Sequence, residues 1–422
     1  MRALIIADGR SPTTRRWIQT VLEIGHEVVL VSTFPCAPVP GVEADVCLPV
    51  AFSRLSGAPV RPGTGPGTAG SLAPHPGRLR QLISAFRPVF MSGRYRFGPL
   101  TLRYYGPRLR WLVEQIQPDL VHALRIPFEG MLASWTPPGM PVAVSIWGND
   151  LTLHAAGSAS MGALTRRALV RADALVTDAN RDQRLARAWG FDPHKPSLVV
   201  PGSGGLDLET LDGLHAKVHR WGSVFDSQFD PRTPLVLNPR GFRTGSVRQD
   251  IFFQAAALVL ERRPEVQFAC AAMAGQREAL AWIERLRLSA RVTLLPHLPQ
   301  EDLWELFARA AVTISVSQHD GTPNSLLEGM ALGAFPVAGD IESIREWITP
   351  GVNGLLVEPD KPQALAEAIL LALENSDLRG RAAQINRDLV GERASVENVR
   401  EKIGRFYSAL TGSEPSVTQS AT

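Results

Sequence analysis

Two carboxylates, Asp320 and Glu328, stand eight positions apart on either side of a helix-starting run, Gly321-Thr322-Pro323-Asn324. At that spacing they can each hold a hydroxyl-bearing group flanking an anion. Residues 311–316 (A-V-T-I-S-V) are short, apolar and β-branched, so they read as a buried strand feeding the loop. Thr322-Pro323 reads as the helix start, with Thr as N-cap and Pro at the first helical position. The backbone amides of Asn324, Ser325 and Leu326 then point out of the helix end. Unpaired N–H groups and the helix dipole favour an anion there, phosphate above all. Glu328 lies roughly 7 Å further along the axis. It shares a face with Asn324, four residues earlier, while Leu327, Met330 and Ala331 face another way. A diphosphate at the amides would set one flanking group beside Asp320 and the other beside Glu328. A nucleotide-sugar has that layout.

This segment resembles the donor-site signature of family 4 retaining glycosyltransferases of the GT-B fold. Their E-x7-E pattern is here Asp320-x7-Glu328. The resemblance continues through Met330-Ala331-Leu332-Gly333-Ala334-Phe335-Pro336-Val337-Ala338-Gly339, Glu346, and Gly351-Val352-Asn353-Gly354-Leu355-Leu356-Val357. It implies that Glu328 binds the ribose hydroxyls, that Asp320 contacts the transferred sugar, that Gly321 belongs to the donor site, and that the amides of 324–326 hold the phosphates. Two departures stand out. Asp320 is one methylene shorter than the usual Glu, and Ile341-Glu342-Ser343 stands where many members carry a Gly pair.

The same resemblance draws attention to Asn238-Pro239-Arg240-Gly241-Phe242-Arg243, after the first strand of the second half. In the family this loop carries an Arg and then a Lys that neutralise the donor diphosphate. Arg240 matches the Arg; for the Lys, Arg248 and Arg243 are the candidates. Such chemistry needs cations, because a departing nucleoside diphosphate gains charge and fixed positive groups stabilise it. A guanidinium also grips phosphate oxygens in a bidentate manner. No D-x-D occurs in the chain. No metal site and no cofactor are therefore expected beyond the nucleotide-sugar substrate.

Positioning these residues requires parallel sheets. In the first half, residues 3–7, 27–31, 119–121, 142–146, 174–177 and 198–200 read as strands with helices between, beginning with 13–24, which Gly25 stops. In the second half, 235–237, 266–269, 292–295, 312–316 and 335–337 repeat the alternation. Strand and helix in alternation imply a parallel sheet with crossover helices, and ligands bind beyond the carboxyl ends of such strands. The fold class is thus α/β. The resemblance makes it GT-B, with two Rossmann-like doubly wound domains facing a cleft. The expected division is an acceptor-binding domain over 1–205, with a flexible Gly/Pro-rich loop at 56–77, and a donor-binding domain over 206–395. A helix at 396–410 would cross back to the first domain, ahead of a disordered polar tail at 411–422.

On the acceptor side, three residues qualify. Thr13 lies in the loop after the first strand, where Arg10-Ser11-Pro12-Thr13-Thr14 replaces the family's Gly-rich turn. His122 ends a strand, two positions before the site of a histidine frequent in the family; a structural role competes. Asp150, behind Trp147-Gly148-Asn149, is either an acceptor contact or an N-cap.

At 422 residues the chain exceeds one ordinary core. Cys36, Cys47 and Cys270 lack metal-ligand spacing and suit reduced thiols. No apolar run is long enough to span a bilayer. Residues 1–200 hold 22 Lys/Arg against 13 Asp/Glu, net +9; the remainder is net −6. No acidic residue lies between Asp45 and Glu114, where ten arginines from Arg54 to Arg110 alternate with aromatics. That mixture suits an anionic membrane surface or a polyanionic acceptor, against the plainer alternative of a solvated basic face. No nucleic-acid module is visible, and no nucleic-acid partner is expected. The expectation is a cytoplasmic, metal-independent glycosyltransferase acting on a glycan or lipid-linked acceptor in cell-envelope polysaccharide, glycolipid or glycoconjugate synthesis. Peripheral contact with the inner face of the plasma membrane through residues 54–110 goes with it. The alternatives are a catalytically silent nucleotide-sugar-binding protein and a GT-B epimerase or phosphorylase.

Overall fold

A computed structural model of the chain describes residues 1–56, 87–243 and 245–412. Most of the loop expected at 56–77 and of the tail expected at 411–422 lies outside the described residues. The chain divides into two compact units: residues 1–177, 183–198 and 402–412 form one, and 178–182 with 199–401 form the other.

The first unit is built on a seven-stranded sheet of order β3-β2-β1-β4-β5-β6-β7. Its strands are β1 (Arg2–Ala7), β2 (Glu27–Ser32), β3 (Ala44–Cys47), β4 (Leu120–Ala123), β5 (Val142–Ile146), β6 (Ala174–Thr177) and β7 (Ser197–Val199). Central strands of a parallel sheet are covered on both faces, so they read as continuous apolar runs. Accordingly Ala3–Ala7 and Val142–Ile146 are wholly buried, and Leu4 pairs in register with Val29 on one side and Val121 on the other. The helices are α1 (Pro12–Glu23), α2 (Arg87–Ile116), α3 (Ala159–Arg171) and α4 (Asn180–Ala188). Ser11 caps α1 by accepting from the Thr14 amide, and Gly25, at φ 89°, turns the chain into β2.

Helix α2 shows how closely this unit is packed. Its inner face carries Gly98 and Gly106 beside the buried Leu102, Leu109 and Val113. A Cβ on Gly106 would meet the Trp135 ring at 2.2 Å, and one on Gly98 would meet the Phe128 ring at 2.9 Å. The glycines let the helix backbone rest on two aromatic rings. The opposite face of α2 is therefore the outer one.

The second unit has a six-stranded sheet of order β10-β9-β8-β11-β12-β13. It comprises β8 (Leu235–Asn238), β9 (Gln267–Cys270), β10 (Val292–Leu294), β11 (Val312–Ser315), β12 (Phe335–Gly339) and β13 (Leu355–Val357). The recorded pairings are all parallel. Its longer helices are α5 (Leu208–Trp221), α6 (Gln249–Arg262), α7 (Arg277–Leu286), α8 (Gln300–Arg309), α9 (Asn324–Ala331), α10 (Pro362–Glu374) and α11 (Ser376–Ala394). Phe252, Phe253, Phe268 and Ile369 fill one side of the sheet; Phe307, Leu327, Met330 and Trp347 fill the other.

The last helix, α12 (Val396–Thr411), starts in the second unit and ends in the first. There Tyr407 is fully buried, and its hydroxyl meets His122 Nδ1 at 2.6 Å and the Trp17 indole nitrogen at 3.3 Å.

Candidate functional site

The strongest cluster lies at the carboxyl ends of β8 and β11 in the second unit. The loop after β8 is held against the loop after β11 by backbone bonds: Gln318 N–H donates to Ser246 C=O at 2.8 Å, and Arg248 N–H to Val316 C=O at 3.0 Å. This clamp brings Arg240 to Asp320. The Arg240 Nη1 donates to the Asp320 carboxylate at 2.5 Å and to Ser317 Oγ at 3.0 Å, and Ser317 Oγ donates to the same carboxylate at 3.0 Å. Arg240 is 7% exposed. Arg243 is exposed and close enough to feel the charges of Arg240 and Asp320. Arg248, the other candidate cation, is directed elsewhere: it pairs with Asp250 at 2.7 Å.

The helix start differs in detail from the sequence expectation. Pro323, not Thr322, occupies the cap position, with extended ψ of 125°, and α9 begins at Asn324. Thr322 cannot cap because its hydroxyl is already committed, donating to the Asp178 carbonyl and accepting from the Trp347 indole N–H at 2.9 Å. The Leu326 amide is also spent, on the Pro323 carbonyl at 3.0 Å. The amides of Asn324 and Ser325 have no hydrogen bond among the described residues and can receive an anion.

Glu328 lies one turn further along α9 and is 8% exposed. Its carboxylate accepts from Gln300 Nε2 at 2.9 Å. Burial pushes its pKa up to about 7, against the smaller downward pulls of Trp304 and Gln300. The Trp304 indole N–H is near enough to exert that pull, yet it makes no hydrogen bond of normal geometry. A bound hydroxyl pair would return to this carboxylate the donors that burial removed.

Sequence reasoning missed the support behind Asp320. The pentapeptide 178–182 belongs to the second unit although the chain on both sides of it belongs to the first. Glu346 accepts from the Asn180 and Arg181 amides, each at 2.9 Å, and so caps α4. Arg181 donates to Ser343 Oγ at 3.3 Å, and Ser343 donates to the Asp320 carbonyl at 2.8 Å. Gly321 is required beside this chain, since a Cβ there would stand 2.4 Å from the Asp178 carboxyl. Burial and the neighbouring Asp182 push that carboxyl's pKa well up. The available signal was Ile341-Glu342-Ser343, where the departure from a Gly pair supplies the hydroxyl.

The three acceptor-side candidates separate. His122 is fully buried between Tyr407 and Ser145, and burial lowers its pKa to about 3; it is structural. Asp150 is also fully buried and caps no helix with its side chain. It accepts from Arg125 at 2.7 Å and from the amides of Ile126 and Trp147, tying the loops after β4 and β5 together. Thr13 is half-buried in the first turn of α1. Among the described residues no group of three or more His, Cys, Asp or Glu could hold a metal ion.

Comparison with known proteins decides the kinship of the second unit. A family model described as "Glycosyl transferases group 1" matches residues 228–389. Residues 228–389 are a group 1 glycosyltransferase domain. This domain contains Arg240, Asp320, Asn324 and Glu328. The chain is 29% identical over 256 residues to a D-inositol 3-phosphate glycosyltransferase of Corynebacterium urealyticum, covering 57% of this chain and 56% of that one. It is 27% identical over 279 residues to a GDP-mannose:cellobiosyl-diphosphopolyprenol alpha-mannosyltransferase of Xanthomonas campestris, covering 62% and 67%. It spans about half the length of the first of these curated relatives. Among solved structures, Anabaena HepE in complex with UDP matches with a TM-score of 0.65 at 16% identity, over 97% of this chain and 100% of that one. Sucrose-phosphate synthase from Thermosynechococcus elongatus matches with 0.70 at 15%, over 98% and 100%. The fold around the group 1 domain is GT-B.

Proposed function

We propose that this protein is a retaining glycosyltransferase that moves a sugar from a nucleotide-sugar to an acceptor hydroxyl without a metal ion. The observation that carries this reading is the Arg240–Ser317–Asp320 triangle beside the open amides of Asn324 and Ser325. Glu328 stands further along the same helix, as a second carboxylate for the ribose. The diphosphate lies at the amides and takes over Arg240, and the sugar lies at Asp320. The acceptor oxygen forms its bond to the anomeric carbon on the face the nucleotide leaves. The bond from that carbon to the diphosphate oxygen breaks, and the acceptor proton passes to the departing phosphate. Arg240 and the helix amides stabilise the charge that develops there. No strong protein base is needed, which agrees with a His122 locked in the interior. Two relatives, a D-inositol 3-phosphate glycosyltransferase and a cellobiosyl-diphosphopolyprenol mannosyltransferase, favour a glycan-building acceptor.

The test is donor turnover by the purified protein with UDP- and GDP-sugars and an extract of envelope glycolipids, with and without EDTA. Nucleoside diphosphate release that depends on acceptor and survives EDTA is expected. Donor binding without turnover would favour the silent binding protein. Activity lost in EDTA and restored by Mg²⁺ or Mn²⁺ would overturn metal independence.

A second reading has its own observation and concerns location. Phe97, Leu100, Tyr104 and Trp111 of α2 are 53%, 55%, 57% and 59% exposed. Their spacing puts them on one helix face, opposite the glycine face. Arg96, Arg103 and Arg110, seven residues apart, run along the flank of that stripe, and Arg108 stacks over the Tyr104 ring at 3.9 Å. Aromatic anchors beside arginines suit the headgroup layer of an anionic membrane, so peripheral contact through α2 is part of the proposal. No described helix is long and apolar enough to cross a membrane.

A further inference from the structure

Beyond the carboxyl ends of β1, β2, β4 and β5, the first unit gathers three arginines: Arg10, Arg94 and Arg125. Two of them have carboxylate partners. Arg10 donates to Asp8 at 3.0 Å, and Arg125 donates to Asp150 at 2.7 Å. Arg94, on the inner side of α2, makes no hydrogen bond and no ion pair among the described residues, and its Nε is shut off from solvent. Its guanidinium is held by aromatic faces instead, 4.8 Å from the Phe128 ring centroid and 5.3 Å from that of Phe34. Arg10 covers the same Phe34 ring at 3.7 Å.

Glu129 does not supply the missing anion. Its carboxylate accepts from the Thr33 hydroxyl at 2.7 Å and reaches Arg94 only through space. Burial pushes its pKa up to about 7, so near neutral pH it carries a proton much of the time. A half-buried cation without an anion is costly, and an arriving anion removes that cost. The Arg125 Nε–H is likewise shut off and unspent. The terminal Nη donors of Arg94 have no partner among the described residues, and the tetrahedral oxygens of a phosphate suit them, with the positive charge of Arg125 close by. The planar guanidinium over two rings is pre-aimed for a bidentate grip.

We propose that Arg94, framed by Phe34 and Phe128, binds a phosphate group carried by the acceptor. Calling that ligand the acceptor rests on the transferase reading; the phosphate site itself does not. Phe128 holds a left-handed backbone at φ 71°, a conformation that costs energy in a bulky residue. That conformation belongs to the same loop that frames Arg94.

The experiment is calorimetric titration of inorganic phosphate into the full chain carrying Arg240→Gln, which weakens the competing anion site of the second unit. Phosphate binding should persist there. Adding Arg94→Met, which keeps an aliphatic stem on the rings, should weaken it by about tenfold or more, while Arg94→Lys should stay within about threefold of the parent. Melting temperatures without phosphate establish that both variants are folded. Parallel titrations with glycerol 3-phosphate and with a polyprenyl diphosphate in micelles distinguish a soluble phosphate ester from a lipid-linked one; Arg94-dependent binding of either supports the site. Equal phosphate affinity in folded Arg94→Met protein, or no phosphate binding once Arg240 is changed, overturns it. No donor is present, so the outcome does not depend on whether the protein transfers sugar.

Discussion

At the residue scale, the two carboxylates that first drew attention sit in opposite electrostatic settings. Asp320 is 17% exposed and paired with Arg240; Glu328 is buried and bonded only to a neutral amide. In the unliganded protein Asp320 therefore neutralises the cation that a diphosphate would need. Asp320→Asn should release Arg240, so calorimetry should record UDP or GDP binding at least as tight as in the wild type, while turnover falls by about tenfold or more through loss of the sugar contact. Glu328→Gln should do the reverse, raising the donor KM more than it lowers kcat, because the ribose does not react. Glu328 also has a signature in the absence of ligand. Its folded pKa of about 7 lies above the ordinary 4.5. The stability this contributes is fully present below about pH 4.5 and is lost as pH rises through about 7, a swing of about 3 kcal/mol. Thermal unfolding from pH 5 to 8 should show that slope in the wild type and a flatter one in Glu328→Gln. Reversed nucleotide effects in the two variants would mean that the donor lies the other way along α9.

At the element scale, the glycines under α2 fix which side of that helix faces outward. Gly106→Ala should push the helix off Trp135 and lower stability by about 1–3 kcal/mol, the usual cost of overpacking. Measured denaturation unchanged by this substitution would mean that the helix is seated some other way. These elements also mark where the sequence was legible. Strands such as β1 and β5 are buried on both faces and spell continuous apolar runs, so their positions are readable directly. β3 (A-D-V-C) is an edge strand, largely exposed, and offers no such pattern. α2 carries Pro99, Pro107 and many arginines, so its 30-residue length is hidden from periodicity. The Asp320–Glu328 spacing was readable because both lie within one strand–loop–helix unit. Glu346 and the 178–182 segment meet across more than 160 residues, and only the fold joins them. Arg94 was hidden for a related reason: its guanidinium is left without an anion because Glu129, from another loop, spends its carboxylate on Thr33, and only the fold brings these residues together.

At the scale of the whole molecule, residues 1–200 carry net +9 and the remainder net −6, so an anionic surface favours the first of them. The exposed aromatic stripe of α2 and its row of arginines should bring the protein to anionic vesicles. Exposed charges are screened within about 8 Å at physiological ionic strength, so sedimentation with phosphatidylglycerol vesicles should fall steeply between low and high salt. Trp111→Ser with Phe97→Ser should weaken it at every salt concentration, by removing the buried apolar area. Equal recovery on neutral and anionic vesicles, or none on either, would leave α2 a solvated basic face.

The bond between Trp17 and Tyr407 spans 390 positions. A ribosome adding about 5–20 residues per second needs roughly 20–80 s to travel that distance. For all of that time the Trp17 indole, and from its own synthesis onward His122, lack the Tyr407 phenol. The half that is made first is thus finished last. Its sheet must wait, with a gap in its interior, until the last helix has been made. A chaperone that holds nascent chains would find its opening here, in the early half of an unfinished molecule.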